Sequence, residues 1–118
     1  MTASTSDWFA YAILAVVVGL VLKRLLTVLI ARQKLPAILK EGAQIIDVRS
    51  PGEFAAGHAS GSRNIPLDSL DAAISSLNPT RWVVLCCASG TRSAMAERRL
   101  RRKGFTQVIN AGSWRQLP

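Results

Sequence analysis

The segment Cys87-Ala88-Ser89-Gly90-Thr91-Arg92-Ser93 joins a cysteine to a run of small side chains, a glycine and an arginine. A short loop of small residues between a strand and a helix N-terminus can turn its backbone N–H groups inward and form a nest that attracts negative charge. A cysteine inside such a nest is held as thiolate, because the inward amides and the helix dipole stabilise the charged sulfur, and the thiolate is the nucleophile. Gly90 supplies the backbone freedom that the turn requires. The chemistry indicated is nucleophilic attack by Cys87 near neutral pH; the bland alternative is a small buried hydrophobe at a strand end. The other thiol is its neighbour, Cys86. A bond between adjacent cysteines is strained and closes almost no loop, so the expectation is free thiols in a reducing compartment. One histidine and two adjacent thiols do not supply four well-placed zinc ligands, and no nicotinamide, flavin or metal motif is present, so neither metal nor cofactor is expected.

Such a nucleophile needs a strand to carry it and a helix to receive its loop. Trp82-Val83-Val84-Leu85-Cys86 reads as a buried strand, and Ser93 to Lys103 as the helix that follows. Gln44 to Val48, Arg63 to Ile65 and Gln107 to Asn110 read as further strands, and Lys34 to Lys40, Pro51 to Ala56 and Asp68 to Leu77 as helices. Short apolar strands alternating with helices predict an α/β domain whose parallel sheet is covered on both faces. In such sheets ligands sit beyond the carboxyl ends of the strands, which is where Cys87 falls. Cys86, as the last strand residue, points to the opposite side, where core packing is expected and a resolving role is the alternative.

The chain has 118 residues, 49% of them apolar, and 15 Lys+Arg against 7 Asp+Glu give a formal net charge of +8. That length leaves room for one small domain, and this composition excludes a disordered chain, a collagen-like repeat and a disulfide-stapled mini-protein. The apolar residues are concentrated from Trp8 to Ala31, where only Gly19, Lys23, Arg24 and Thr27 interrupt them. A helix over this stretch runs about 36 Å, enough to cross a hydrocarbon core of about 30 Å. Its uncharged part, Trp8 to Leu22, is only about 22 Å long, so Lys23 and Arg24 are expected at the inner interface or snorkelling toward it. Met1 to Asp7 contains no Lys or Arg, whereas Lys23, Arg24, Arg32, Lys34 and Lys40 follow the apolar core, so the positive-inside bias places the C-terminal domain in the cytoplasm. The expected organisation is a short non-cytoplasmic tail over 1–7, a transmembrane helix over 8–31 and a domain over 32–118.

Three motifs in order extend the argument beyond the loop. Ile45-Ile46-Asp47-Val48-Arg49-Ser50-Pro51-Gly52-Glu53-Phe54-Ala55-Ala56-Gly57-His58 resembles the DVR…E(F/Y)…GH signature of the rhodanese family of sulfurtransferases. Gly61-Ser62-Arg63-Asn64-Ile65-Pro66-Leu67 is similar to that family's GA-NIP segment, and the loop matches its C-x-x-G-x-R-S pattern when counted from Cys87. The resemblance covers roughly Leu35 to Trp114. It implies a rhodanese-like three-layer α/β/α fold with a central parallel sheet of about five short strands, here preceded by one N-terminal transmembrane helix. It also implies that Cys87 carries a transferable sulfur as a persulfide, taken from a donor such as thiosulfate or a persulfide and passed to a thiol, cyanide or protein acceptor. A phosphatase branch of the same fold has the longer C-x5-R loop; the C-x4-R spacing here is sized for sulfur, and the loop holds no acid to protonate a leaving group.

Ala88, Ser89, Gly90, Thr91, Arg92 and Ser93 are thus the expected substrate-binding loop, and Asp47, Arg49, Glu53 and His58 its supports. Arg92 either contacts an anionic donor or braces the loop against Glu53 or Asp47; His58 is expected to be structural. The run Arg98, Arg99, Arg101, Arg102 and Lys103 is read as a solvated face near a helix C-terminus, with anionic lipid or an acidic partner as the alternative. Without interleaved aromatics it predicts no specific nucleic-acid site. The reading is a single-pass sulfurtransferase of the inner membrane, with a catalytically weak sulfur-relay partner or a tethered interaction module as its rivals.

Overall fold

The computed structural model describes residues 4–118, which fall into two compact units divided between Gln33 and Lys34. One helix, α1 (Thr5–Lys40), supplies the first unit and the opening of the second. It contains an 18-residue stretch of mean hydropathy 2.5, none of it buried, and is long and apolar enough to cross a membrane. The two helices expected over 8–31 and 34–40 are one. Arg32 and Gln33 between them are good helix formers, and no glycine lies between Gly19 and Gly42. Pro36 lies inside the last turns without ending the helix, although it removes one backbone donor.

The second unit is a four-stranded, fully parallel sheet in the order β2-β1-β3-β4, with β1 Gln44–Asp47, β2 Arg63–Asn64, β3 Val83–Cys87 and β4 Val108–Ser113. The expected count of about five strands is therefore corrected to four. The chain ahead of β1 continues α1 up to Lys40 and then turns, so it offers no strand to the sheet edge. Helix α2 (Pro51–Ala56) begins with a capping box: the Ser50 hydroxyl accepts from the Glu53 N–H, and the Glu53 side chain accepts from the Ser50 N–H. The single helix expected over Asp68 to Leu77 is instead a one-turn helix, α3 (Leu70–Ala73), between two 3-10 turns, Leu67–Ser69 and Ile74–Ser76. The Ser76 hydroxyl donates to the Ala73 carbonyl at 2.6 Å, the local competition by which serine interrupts short helices. Helix α4 (Thr91–Arg102) follows β3, and a last 3-10 turn, Trp114–Gln116, follows β4.

All five residues of β3 are buried, as expected of a central strand covered on both faces. Val83, Leu85 and Cys87 belong to a cluster with Ile46, Val48, Leu70, Ala96, Leu100 and Val108, so the nucleophile candidate stands on the face that α4 covers. Each fully buried leucine there contributes about 1.5–3 kcal/mol. Strand alternation sends Val84 and Cys86 to the other face. The strand runs one residue later than the apolar pattern predicts, so that Cys87, not Cys86, is its last residue. Strand β4 extends three residues further than expected and pairs Gly112 with Cys86 and Ser113 with Cys87.

Candidate active site

The chain leaves β3 at Cys87, makes a turn of three residues and enters α4 at Thr91, so the cysteine lies at the helix N-terminus. Gly90 caps the helix with φ 101, a left-handed conformation in which a side chain would be strained. A Cβ at Gly90 would also meet the Gly112 Cα at 3.2 Å, so the loop and β4 require glycine on both counts. The turn aims the Gly90 N–H at the Cys87 sulfur, 2.9 Å away, and the Ser93 Oγ lies 3.4 Å from the same sulfur. Cys87 is 1% exposed and Ser93 fully buried, whereas Ala88, Ser89 and Thr91 line the outside of the loop.

The two adjacent thiols are driven in opposite directions. Burial pushes the Cys87 thiol up, but hydrogen bonds from the Ser93 hydroxyl and N–H, the Gly90 N–H and the Ser89 N–H outweigh it and leave it below the ordinary thiol value. Burial, followed by the nearby Asp47 carboxylate, pushes Cys86 up to about 12. Of the two, Cys87 is the thiol shifted toward the thiolate that attacks sulfur.

Arg92 is paired with Glu53. Its guanidinium makes a two-pronged pair with Glu53, Nη1 to Oε1 at 2.7 Å and Nη2 to Oε2 at 3.0 Å, which joins the start of α4 to α2. Of the two roles open to Arg92, bracing is the one this geometry fits. It also lines a cavity of about 310 Å³ with Ser50, Pro66, Asp68 and Arg99; Cys87 is not in its wall. The Arg92 hydrogen bond, helped by the Ser50 N–H, holds the Glu53 carboxylate down at about 2. A carboxylate whose value is lowered by folding stabilises the fold above its ordinary 4.5 and loses that contribution as pH falls toward 2. Thermal melts of wild type and Glu53→Gln should therefore differ modestly at neutral pH and converge near pH 2. A gap that persists there would place the contribution of Glu53 elsewhere.

Asp47 and Arg49 form a second, buried pair: Nη2 meets Oδ2 at 2.7 Å, and Nε lies 3.0 Å from both carboxylate oxygens. Arg49 also donates to the Gly57 carbonyl at 2.7 Å and lies over the Trp114 ring, 4.8 Å from its centroid. The Asn64 side chain donates to the Asp47 and Arg49 carbonyls, which fastens β2 beside this latch. His58 is exposed; its Nδ1 lies 2.9 Å from the Phe54 carbonyl and its ring stacks on Phe54, so its recorded contacts are within the α2 region and not with the loop. The basic run divides as well. Arg99 donates to the Leu67 carbonyl and Arg101 to the Val108 carbonyl, whereas Arg98, Arg102 and Lys103 lie on the exposed side.

Asn110 is the functional candidate that sequence reasoning missed. Its side chain links Ser93, Gly90 and Gly112, and its one signal was a polar residue closing the apolar strand Val108-Ile109.

Residues 31–116 match the family model described as Rhodanese-like domain. The chain is 43% identical over 68 residues to the uncharacterized protein YqhL of Bacillus subtilis (strain 168), covering 58% of this chain and 54% of that one. It thus spans about half the length of that relative. It is 34% identical over 81 residues to the thiosulfate sulfurtransferase GlpE of Pseudomonas aeruginosa, covering 69% of this chain and 74% of GlpE. Among solved structures, a rhodanese with anions from E. coli superposes with a TM-score of 0.61 at 31% identity, covering 64% of this chain and 94% of that one. With its parallel α/β sheet, its strand-to-helix cysteine loop and these similarities, the chain belongs to the rhodanese-like domain family.

Proposed function

We propose that the chain is a membrane-anchored sulfurtransferase in which Cys87 carries sulfane sulfur as a persulfide. The observation that carries this reading is the placement of the Cys87 sulfur at the mouth of α4, 2.9 Å from the Gly90 N–H, with its thiol held low while its neighbour's is held high. In the first step the Cys87 thiolate attacks the outer sulfur of a donor, the new S–S bond forms on Cys87, and the donor's S–S bond breaks with its electron pair on the leaving group. In the second step an acceptor thiolate, cyanide or protein thiol attacks that outer sulfur, and Cys87 leaves as thiolate. The nest amides hold the persulfide anion between the steps.

The loop's side chains favour a persulfide donor over thiosulfate. Ala88, Ser89 and Thr91 are neutral, and the charge of Arg92 is already neutralised by Glu53. A dianion entering this mouth meets backbone amides but no uncommitted loop cation.

The span Trp8 to Ala31 is the proposed anchor, with residues 1–7 outside and the domain over 32–118 facing the cytoplasm, because the cations Lys23, Arg24, Arg32, Lys34 and Lys40 follow the apolar core. The 118-residue chain in detergent, incubated with thiosulfate and separately with glutathione persulfide, should gain one sulfur mass, about 32 Da, on intact-mass measurement. Gain from the persulfide alone would make the protein a sulfur relay. No gain from either donor, in a folded sample, would overturn the sulfurtransferase reading in favour of a tethered interaction module.

A further inference from the structure

Behind the Cys87 sulfur stand two side chains whose proton positions are dictated by the backbone. The Asn110 Oδ1 accepts from the Gly112 N–H at 2.8 Å, and its Nδ2 donates to the Gly90 carbonyl at 3.0 Å. An N–H can only donate and a carbonyl only accept, so the amide has one orientation. The Ser93 Oγ lies 2.7 Å from that Oδ1, an acceptor, and its single proton must point there. The same Oγ lies 3.4 Å from the Cys87 sulfur, to which it then offers a lone pair. A lone pair suits a thiol S–H. A negatively charged sulfur needs a donor instead, and a rotation about the Ser93 Cβ–Oγ bond supplies one, while Asn110 Oδ1 keeps its Gly112 partner.

Two further observations make this arrangement more than local packing. Ser93 is fully buried and Cys87 1% exposed, so solvent has little room to deliver the same hydrogen bond, and in a dry site each such bond is strengthened. The register of β3 on β4 slips between Leu85 and Cys86: Leu85 pairs with Asn110 but Cys86 with Gly112, so Ala111 is an extra residue. Bulges of this kind re-aim side chains beside active sites, and here the bulge follows directly on the asparagine that holds Ser93.

We propose that Ser93 is a two-position hydroxyl for the Cys87 sulfur, donating to Asn110 while the sulfur is a thiol or the inner atom of a persulfide and to the sulfur while it is a thiolate, with Asn110 as the positioning residue that holds Ser93 between the two. The inference rests on Cys87 being the reactive thiol. When the thiolate attacks, its electron pair becomes the new S–S bond, the charge leaves Cys87 with the donor's leaving group, and the hydroxyl returns to Asn110. When the acceptor takes the outer sulfur, the pair of the broken S–S bond comes back to Cys87 and Ser93 turns to meet it. The Ser93 proton stays on Ser93 throughout.

The test is the pH dependence of Cys87 alkylation by iodoacetamide, followed by intact mass and peptide mapping on the whole chain in detergent. Ser93→Ala should move the midpoint upward by about one pH unit, the size expected for one hydrogen bond to a charged group. Asn110→Asp keeps an acceptor for Ser93 and Gly112 but holds the hydroxyl proton more tightly and adds negative charge, so it should also move the midpoint upward. Adding Ser93→Ala to Asn110→Asp should then shift it less than Ser93→Ala does alone. Midpoints within about 0.3 of a pH unit of wild type in the folded variants would overturn the inference. If Ser93→Ala does not fold, Asn110→Asp decides alone. Wild type that takes up no sulfur overturns the functional reading instead, so the two failures are distinguishable.

Discussion

Cys87→Ser should take up no sulfur from any donor and lose turnover by at least about a thousandfold, the scale seen when a covalent nucleophile is removed. The substitution is nearly isosteric and leaves the Gly90 N–H and Ser93 hydroxyl with an oxygen to bond, so the fold should survive it. The matching control is Cys86→Ala, which removes the other thiol without placing a hydroxyl in a fully buried site. It should keep most of the uptake, because a thiol pushed up to about 12 contributes almost no thiolate at neutral pH. Intact mass after incubation with glutathione persulfide reads both variants in one experiment. Equal loss in the two would overturn Cys87 as sole nucleophile and give Cys86 a resolving role, since the second thiol would then be needed for the adduct to persist.

The difference between the neighbours was visible in the sequence as a question of phase. Counting the family's glycine and arginine from each cysteine selects Cys87, and the strand period sends Cys86 to the other face. The four strands, α2 and α4 were legible for the same reason: each is a short apolar run or a capped segment whose signal lies within its own few residues. The Ser50 to Glu53 capping box and Pro51 belong to the first turn of α2 itself and depend on no tertiary contact. What the sequence left open are pairings between distant residues. Arg92 meets Glu53 across 39 positions and Asn110 meets Ser93 across 17, and no local period specifies either. The choice for Arg92, substrate or brace, turns on where α2 docks. The role of Asn110 turns on a one-residue slip in β4, which no apolar pattern encodes. The strand count was overestimated because it came from the family resemblance and not from a fifth apolar run in this chain.

The largest effect on stability should come from the buried latch at the end of β1. Asp47 is fully buried and Arg49 is 4% exposed, and every recorded polar contact of the Asp47 carboxylate is to Arg49. Arg49→Met would leave that buried carboxylate with only the residue-49 backbone N–H and no countercharge, and would strand the Gly57 carbonyl that Arg49 now satisfies. Removing one partner of a buried pair costs about 3–5 kcal/mol, because the remaining charge keeps its desolvation penalty and loses its compensation. For a domain of this size that lowers the Tm by at least about 12 °C. The double variant Asp47→Leu/Arg49→Met should be markedly less destabilised than the sum of the two single changes, because it leaves no charge behind. The latch also bears on the chemistry: it anchors the chain just before Ser50, whose capping box orients Glu53, and Glu53 in turn holds Arg92 at the start of α4. Arg49→Met should therefore slow sulfur uptake in protein that is still folded, whereas the double variant should recover part of the rate along with its Tm. Thermal denaturation and uptake kinetics measured on the same three samples decide the matter. Additive losses, with no recovery in the double variant, would mean that the pair contributes through packing on Trp114 and Gly57 and not through its buried charge.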